Sequence, residues 1–381
     1  MKKKLISLFI LLIVVIFLST MAYLKNESSS LHKTSNFSER SINIHEKELT
    51  QDQIEEITIA GIGDILIHDR VYNDAREGDT FNFDKMFQNV TPELNKPTIL
   101  LANQETIVAG ESIGLSGYPS FNSPHEVADS VKAAGIDIVT TANNHSLDRG
   151  VDAQKQSISY LDSISLPHVG TYTSHDAQKQ VTTLSSGGIK VAFLSYTYGL
   201  NGIPIPEGKD YIVNIIDEQK IKEEISRAKK EADVIVMGIH WGSEYERYPS
   251  ASQKKLAQML VNEGVDIIFG SHPHVLQPME WLEGKDGNKG LVVYSLGNFL
   301  SGQDEEYRDI GGMVSVRVQK TTNQNGQAIT LLEPTFYPTF VSSEAERNYI
   351  MHPLKDSEAA IEKYDSSIYE KITNHMLQYI K

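Results

Sequence analysis

Val265-Asp266-Ile267-Ile268-Phe269-Gly270-Ser271-His272-Pro273-His274 reads as a buried strand that runs out onto a glycine and delivers two histidines at its end. A short apolar run of this length, bounded by turn residues, fits a core strand. Two earlier segments repeat the plan. Ile136-Asp137-Ile138-Val139 passes through Thr140-Thr141-Ala142 to Asn143-Asn144-His145, and Asp233-Val234-Ile235-Val236-Met237-Gly238-Ile239 reaches His240. Each has an Asp at the strand start and a His at its end. In a parallel sheet the C-terminal strand ends share one edge, where α/β folds bind ligands. Three imidazole-bearing strands converging on such an edge point to a metal site. Asp137, Asp233 and Asp266 lie at the opposite ends and read as turn or cap residues.

The composition narrows the chemistry. Among 381 residues there is no cysteine, which excludes thiolate catalysis, disulfides and Cys-ligated zinc. Any metal must be held by His, Asn, Asp, Glu or water, a donor set suited to Mn, Fe or Zn. A formal charge of −15 argues against a nucleic-acid partner held by a broad basic surface.

Lys2-Lys3-Lys4 precede an apolar run from Leu5 to Leu24, and about 20 such residues suffice to cross a bilayer as a helix. The positive-inside rule keeps the lysines cytoplasmic and sends the rest of the chain outside. The expected organisation is a transmembrane signal-anchor over 1–24 and a flexible polar stalk over 25–56. The catalytic-type domain is expected over 57–340 and a polar helical tail over 341–381. A cleaved signal peptide is the alternative reading of the N-terminus, with Ser19-Thr20-Met21-Ala22 as a fair cleavage site.

Within the domain, strand and helix signals alternate. Ile57 to Asp64 and Thr98 to Ala102 read as strands, the second ending on Asn103-Gln104-Glu105. Helices are predicted over Pro124–Ala134, Asp217–Glu231 and Ser252–Glu263, each feeding one of the His-bearing strands, with Gly135 and Gly264 at the helix-to-strand turns. Ile189–Thr197, Gly290–Leu296 and Met313–Val318 read as further strands. The alternation predicts a layered α/β architecture.

Taken in order, Asp64, Glu105, Asn144, His145, His240, His272 and His274 all fall at or just past strand ends. Six segments carry the pattern: Gly61-Ile62-Gly63-Asp64-Ile65, Asn103-Gln104-Glu105, Ala142 to Gly150, His240-Trp241-Gly242-Ser243-Glu244-Tyr245, Gly270 to Pro278 and Tyr294 to Phe299. This order resembles the calcineurin-like metallophosphoesterase superfamily, and the fuller match is to its CapA-type, poly-γ-glutamate capsule branch. The resemblance spans about residues 57–320 and implies a layered α-β-β-α sandwich. It further implies that Asp64 and His274 hold one divalent metal, that Asn144, His240 and His272 hold a second, and that Glu105 bridges them. His145 would then face the substrate as proton donor or phosphate contact, and the spacing makes Asp148 the carboxylate that orients it.

One departure from the pattern matters. The superfamily's first motif is Asp-x-His, and here the residue two after Asp64 is Leu66; His68, four after Asp64, is the alternative donor. The resemblance implies a membrane-anchored extracytoplasmic component of capsule biosynthesis that exports, assembles or retains the anionic polyglutamate polymer. It would work beside membrane-bound synthase and export subunits. A free-standing extracytoplasmic phosphoesterase and a non-catalytic metal-stabilised binding module are the competing readings. Trp241 and Tyr245 read as pocket walls, and His32, His45, His352 and His375 lie in polar flanks with no expected role.

Overall fold

The computed structural model describes residues 52–380. The anchor expected over 1–24 and the stalk up to residue 51 lie outside them. Among the described residues, no helix is long and apolar enough to cross a membrane.

Eight strands carry the architecture: β1 (Gln53–Leu66), β2 (Ile99–Gln104), β3 (Ile138–Thr140), β4 (Ile189–Thr197), β5 (Val234–His240), β6 (Ile267–Ser271), β7 (Lys289–Leu296) and β8 (Ile310–Asn323). They form two sheets. In the first, β1, β2, β3 and the short strand His168–Val169 run parallel. On its other side β1 pairs antiparallel with β8, and Thr335–Glu344 and Arg347–Pro353 follow. In the second, β4, β5, β6 and β7 run parallel, flanked by the antiparallel strands Thr182–Ser186 and Leu276–Glu283. The three Asp-to-His segments therefore do not share one sheet, as their common pattern suggested. β3 belongs to the first sheet, β5 and β6 to the second. Their ends meet because the two sheets are stacked.

Alternation along the strands sets the layers, because successive side chains point to opposite faces. Ile57, Ile59, Leu101 and Ile138 of the first sheet pack with Val191, Phe193, Val236, Phe269 and Val293 of the second in one core. Ala60, Ile62, Leu100 and Val139 face away, onto Val71, Met86, Val127 and Val131 of the helices Asp69–Ala75, Asp84–Phe87 and Glu126–Ala133. Leu194, Ile235, Met237 and Ile268 face out on the other side, onto Ile221, Ile225, Ala257 and Leu260 of the helices Glu218–Ala228 and Ala251–Glu263. The result is four layers, helix, sheet, sheet, helix. Each such fully buried aliphatic side chain contributes about 1.5–3 kcal/mol relative to an exposed one, so double-faced burial of the central strands holds the stack together.

Local signals fix the helix ends. Ser250 and Gln253 form a reciprocal capping box at the start of Ala251–Glu263, and Gly264 closes that helix in the left-handed region at φ 96°. The strand-start aspartates have a sharper role than capping. The carboxylates of Asp137, Asp233 and Asp266 accept from the backbone N–H of Leu100, Lys190 and Ile235, each at 2.8 Å. The N–H of each Asp donates to the carbonyl of that same residue at 2.8–3.0 Å. Each Asp thus clamps its strand to the neighbouring parallel strand and sets the register that brings the far ends level.

The domain boundaries differ from expectation at both ends. Gln53–Glu56, assigned to the stalk, already belong to β1. Residues 341–381 are not a separate polar tail. Arg347–Pro353 is a strand of the first sheet, and Ile368, Ile372 and Met376 of the helix Ile368–Leu377 join the core between the sheets. Their spacing of four places them on one apolar helix face, a signal masked by polar neighbours. His375 lies on the same helix, and its Nε2 meets the Leu276 carbonyl at 3.0 Å.

Candidate metal centre

The centre forms where β1, β2 and β3 of one sheet end against β5 and β6 of the other. β1 reaches it through a bulge at Asp64, whose N–H donates to Gly297 O at 2.9 Å. A Cβ on Gly63 would stand 1.9 Å from that same carbonyl, so only glycine lets the strand pass and turn Asp64 inward. One Asp64 oxygen accepts from Asn103 Nδ2 at 2.8 Å, and the other faces His274 Nδ1 at 3.0 Å. Asn103 is itself fixed by Thr140 Oγ1, which donates to its Oδ1 at 3.1 Å. Glu105 follows directly after β2, fully buried, with its N–H bonded to Ile65 O at 3.1 Å.

Past β3 the chain folds into a tight turn. Asn143 Oδ1 accepts from the His145 N–H at 2.9 Å, and Asn143 Nδ2 donates to Gln104 O at 3.0 Å. This side chain mimics a backbone turn and pins the following Asn144 and His145 beside Glu105. His240 is the last residue of β5. Beyond β6, His272 and His274 both take positive φ values, 97° and 58°, which non-glycine residues adopt at a cost of about 1–3 kcal/mol each. Strain of this kind persists where the surrounding structure enforces it, and here it brings the two imidazoles within 5.9 Å of each other, centroid to centroid.

Three donor triads result: Glu105, His240 and His272; Asp64, Glu105 and His274; Glu244, His272 and His274. Within each, the ligand atoms lie within 4.8 Å of one another. Glu105 is common to the first two, as the bridging role requires. Asn144 Oδ1 lies 2.8 Å from His240 Nε2, and its amide is oriented by Nδ2 donating to Asn201 Oδ1 at 3.2 Å. His240 Nδ1 meets Ser271 Oγ at 3.0 Å. When that nitrogen donates to the serine, Nε2 and Asn144 Oδ1 face each other as two lone pairs. That separation suits neighbouring donors on one cation with bonds of about 2.1 Å.

The electrostatics agree with a cation-binding role. Burial, aided by the neighbouring imidazoles, holds His272 down to about 3 and His240 well below the ordinary histidine range. Both are therefore neutral donors at physiological pH. Burial also pushes the Glu105 carboxyl well up, against the opposing pull of His274. His274 departs from the other two histidines. Burial disfavours its charge, but the Glu105 carboxylate and the hydrogen bond and charge of Asp64 outweigh it and raise it to about 9. Glu105 Oε1 and His272 Nδ1 are buried with no hydrogen-bond partner among the described residues. Buried polar atoms are rarely left so, and a divalent cation would satisfy both. The residues present fit a metal.

His145 stands at the edge of this cluster. Its Nδ1 lies 2.7 Å from Asp148 Oδ2, and both side chains are buried. The same carboxylate oxygen accepts from Phe121 N at 2.8 Å, and the Phe121 ring meets the imidazole edge-on with centroids 4.7 Å apart. Asp148 thus fixes the tautomer and the ring plane, leaving His145 Nε2 as the atom that can exchange a proton. His68 belongs to none of the donor triads. It too packs edge-on with Phe121, ring centroids 5.2 Å apart, with Nδ1 near Leu66 O and Gly302 N.

Several participants had no role in the sequence reading. Asn298 Oδ1 stands 3.1 Å from His274 Nδ1, Ser271 supports His240, and Asn103 steadies Asp64. Tyr198 lies over His272 with ring centroids 4.6 Å apart. Asn103 could have been found, because it shares a strand face with Glu105. Tyr198 and Glu244 lie in irregular segments where periodicity says nothing.

The comparisons with known proteins agree with one another. Residues 58–303 match the family described as bacterial capsule synthesis protein PGA_cap. The chain is 29% identical over 350 residues to the capsule biosynthesis protein CapA of Bacillus anthracis, covering 86% of this chain and 80% of that one. It is 31% identical over 242 residues to the PGA biosynthesis protein CapA of Bacillus subtilis (strain 168), covering 62% of each. A probable polyglutamine synthesis accessory protein of Mycobacterium tuberculosis is 20% identical over 232 residues, 58% of each chain. With the match reaching from β1 to the loop beyond Asn298 and so enclosing every residue of the donor triads, the chain belongs to the PGA_cap family of bacterial capsule synthesis proteins.

Proposed function

We propose that this protein is an accessory component of poly-γ-glutamate capsule biosynthesis, acting at the outer face of the membrane through a centre that holds two divalent cations. The observation that carries the reading is the pair of donor triads sharing Glu105, set within a family match to capsule synthesis proteins. Asp64, Glu105 and His274 form one position. Asn144, His240, His272 and Glu105 form the other, and Mn, Fe or Zn fits the donors. The Lys2-Lys3-Lys4 and Leu5–Leu24 pattern supports a single-pass anchor with the folded domain outside. The polymer is a polyanion and the chain is itself acidic, so cations at the centre would let one approach the other. Membrane-bound synthase and export subunits are the proposed partners, and export, assembly or retention of the polymer the proposed step.

Deleting the gene and measuring cell-bound and released polyglutamate tests this. The expected result is loss of the bound polymer, restored by the wild-type gene and not by a His272→Ala copy. Unchanged bound polymer in the deletion would refute the role.

The buried His145–Asp148 pair beside the centre favours a second reading, a metal-dependent phosphoesterase or related hydrolase. A pair of bound cations supplies activation of a water and neutralisation of charge on a phosphoryl group. The chain's own contribution is acid–base work. His145 Nε2 faces the site with Nδ1 held by Asp148, so it can hand a proton to a leaving oxygen. Turnover of a generic phosphodiester with manganese, abolished by His145→Ala, would support this reading; no turnover would remove it.

A further inference from the structure

Leu66 leaves the first cation position short of a donor. Asp64, Glu105 and His274 are what the strand ends bring there, and the buried Leu66 side chain has no lone pair to add. His68 does not make up the difference, because neither of its ring nitrogens falls in a donor group with Asp64, Glu105 or His274; its ring packs against Phe121, and Nδ1 meets backbone groups.

Glu244 is placed differently. Its carboxylate lies within 4.8 Å of donor atoms on both His272 and His274, and it is exposed where those two are buried. It therefore approaches from the solvent side, whereas Glu105 approaches from the interior. The loop that carries it is held on both flanks. Trp241 N–H donates to Ser271 O at 3.1 Å and Tyr245 N–H to Pro273 O at 2.8 Å, so the loop is stitched to the histidine turn before and after Glu244. Positive φ values at Gly242 (88°) and Tyr245 (67°) make the reversal. Behind it, Gln277 Nε2 donates to the carbonyls of Glu246 and Tyr248 at 2.7 and 3.2 Å, and the Trp241 indole donates to Tyr294 O at 2.9 Å. A surface carboxylate needs none of this support.

We propose that Glu244 is a ligand of the first cation, supplying the donor that Leu66 cannot and closing that position from the solvent side. The inference rests on the two-cation reading of the centre. It makes the two positions chemically unlike. The first has three carboxylates and one imidazole, and the second has two imidazoles, an amide oxygen and the shared carboxylate. Oxygen-rich sets favour harder cations, so the first position is the one that selects Mn2+.

The test is titration of the chelator-stripped full chain with Mn2+, followed by calorimetry and electron paramagnetic resonance. Wild type is expected to bind two Mn2+ and to show the signal of a spin-coupled pair. Glu244→Gln should keep one and bind the other at least about tenfold more weakly, losing the coupled signal. Glu105→Gln should impair both. Glu244→Ala is the second variant should Glu244→Gln fail to fold, and it should lose the same Mn2+. Two Mn2+ bound with wild-type affinity by a Glu244 variant would overturn the proposal and leave the two-cation reading intact. A wild type that binds fewer than two would overturn both.

Discussion

His274 Nδ1 lies 3.0 Å from Asp64 Oδ2 across 210 residues of sequence, and the contact joins the two sheets at the centre. Without metal it is an ion pair, since Asp64 and Glu105 raise the imidazole to about 9. A cation at this position must displace that proton. Its apparent affinity should therefore rise with pH through the neutral range and level off near pH 9. Calorimetric titrations with Mn2+ in buffers of different ionisation heat would count the protons released; none released would refute the account. For the metal-free protein the sign is fixed by the raised value. The stabilisation is fully present below about pH 6.5, and it is lost as pH rises towards 9.

Asp148→Asn should separate positioning from metal binding. The amide cannot accept an imidazole proton with the same charge support, so any manganese-dependent hydrolysis should fall by about 100-fold or more. Metal content should not change, because Asp148 belongs to no donor triad. Loss of metal from the variant would show the pair to be structural.

The backbone at His272 predicts an inversion of the usual order of small-residue substitutions. At φ 97° an alanine keeps the strain that glycine avoids, so metal-free His272→Gly should be more stable than His272→Ala by about 1 kcal/mol. Denaturant midpoints of the two stripped variants decide it. Both should lose the stabilisation that Mn2+ gives the wild type.

The clamp at Asp266 makes a prediction far from the centre. Burial pushes its carboxyl up to about 7, against its hydrogen bond from Ile235 and the charge of Lys229. A raised acid holds its proton more tightly when folded, so its contribution to stability falls as pH rises from about 4 to about 7. Asp266→Asn keeps an acceptor for the Ile235 N–H and should flatten that part of the stability profile. Asp266→Ala should lower stability by about 1–3 kcal/mol through the orphaned N–H. Thermal melts across this pH range would reveal both.

Much of this was legible in the sequence because strand ends announce themselves. An apolar run followed by glycine or asparagine and then a histidine marks both a strand and its functional end, so the candidate residues from Asp64 to His274 stand out in the sequence alone. The assignment of strands to sheets does not. A doubly buried strand reads the same whichever neighbour it pairs with, and only packing revealed that β3 stands in one sheet and β5 and β6 in the other. The burial of the C-terminal helix is hidden in the sequence for a related reason, since three apolar residues among polar ones acquire meaning only when a core lies beneath them.

By itself the sequence marked the candidate donors, their order and the family, because these follow from residue type and local pattern. It also showed Leu66 standing where the resembled Asp-x-His motif has its histidine. Tertiary structure alone decided which candidate donors lie together, how Asp148 and Asn298 meet the histidines, and that Glu244 stands beside His272 and His274. Those relations depend on distances between elements far apart in the chain, and they are set by the stacking of two sheets and by backbone turns that no local periodicity encodes.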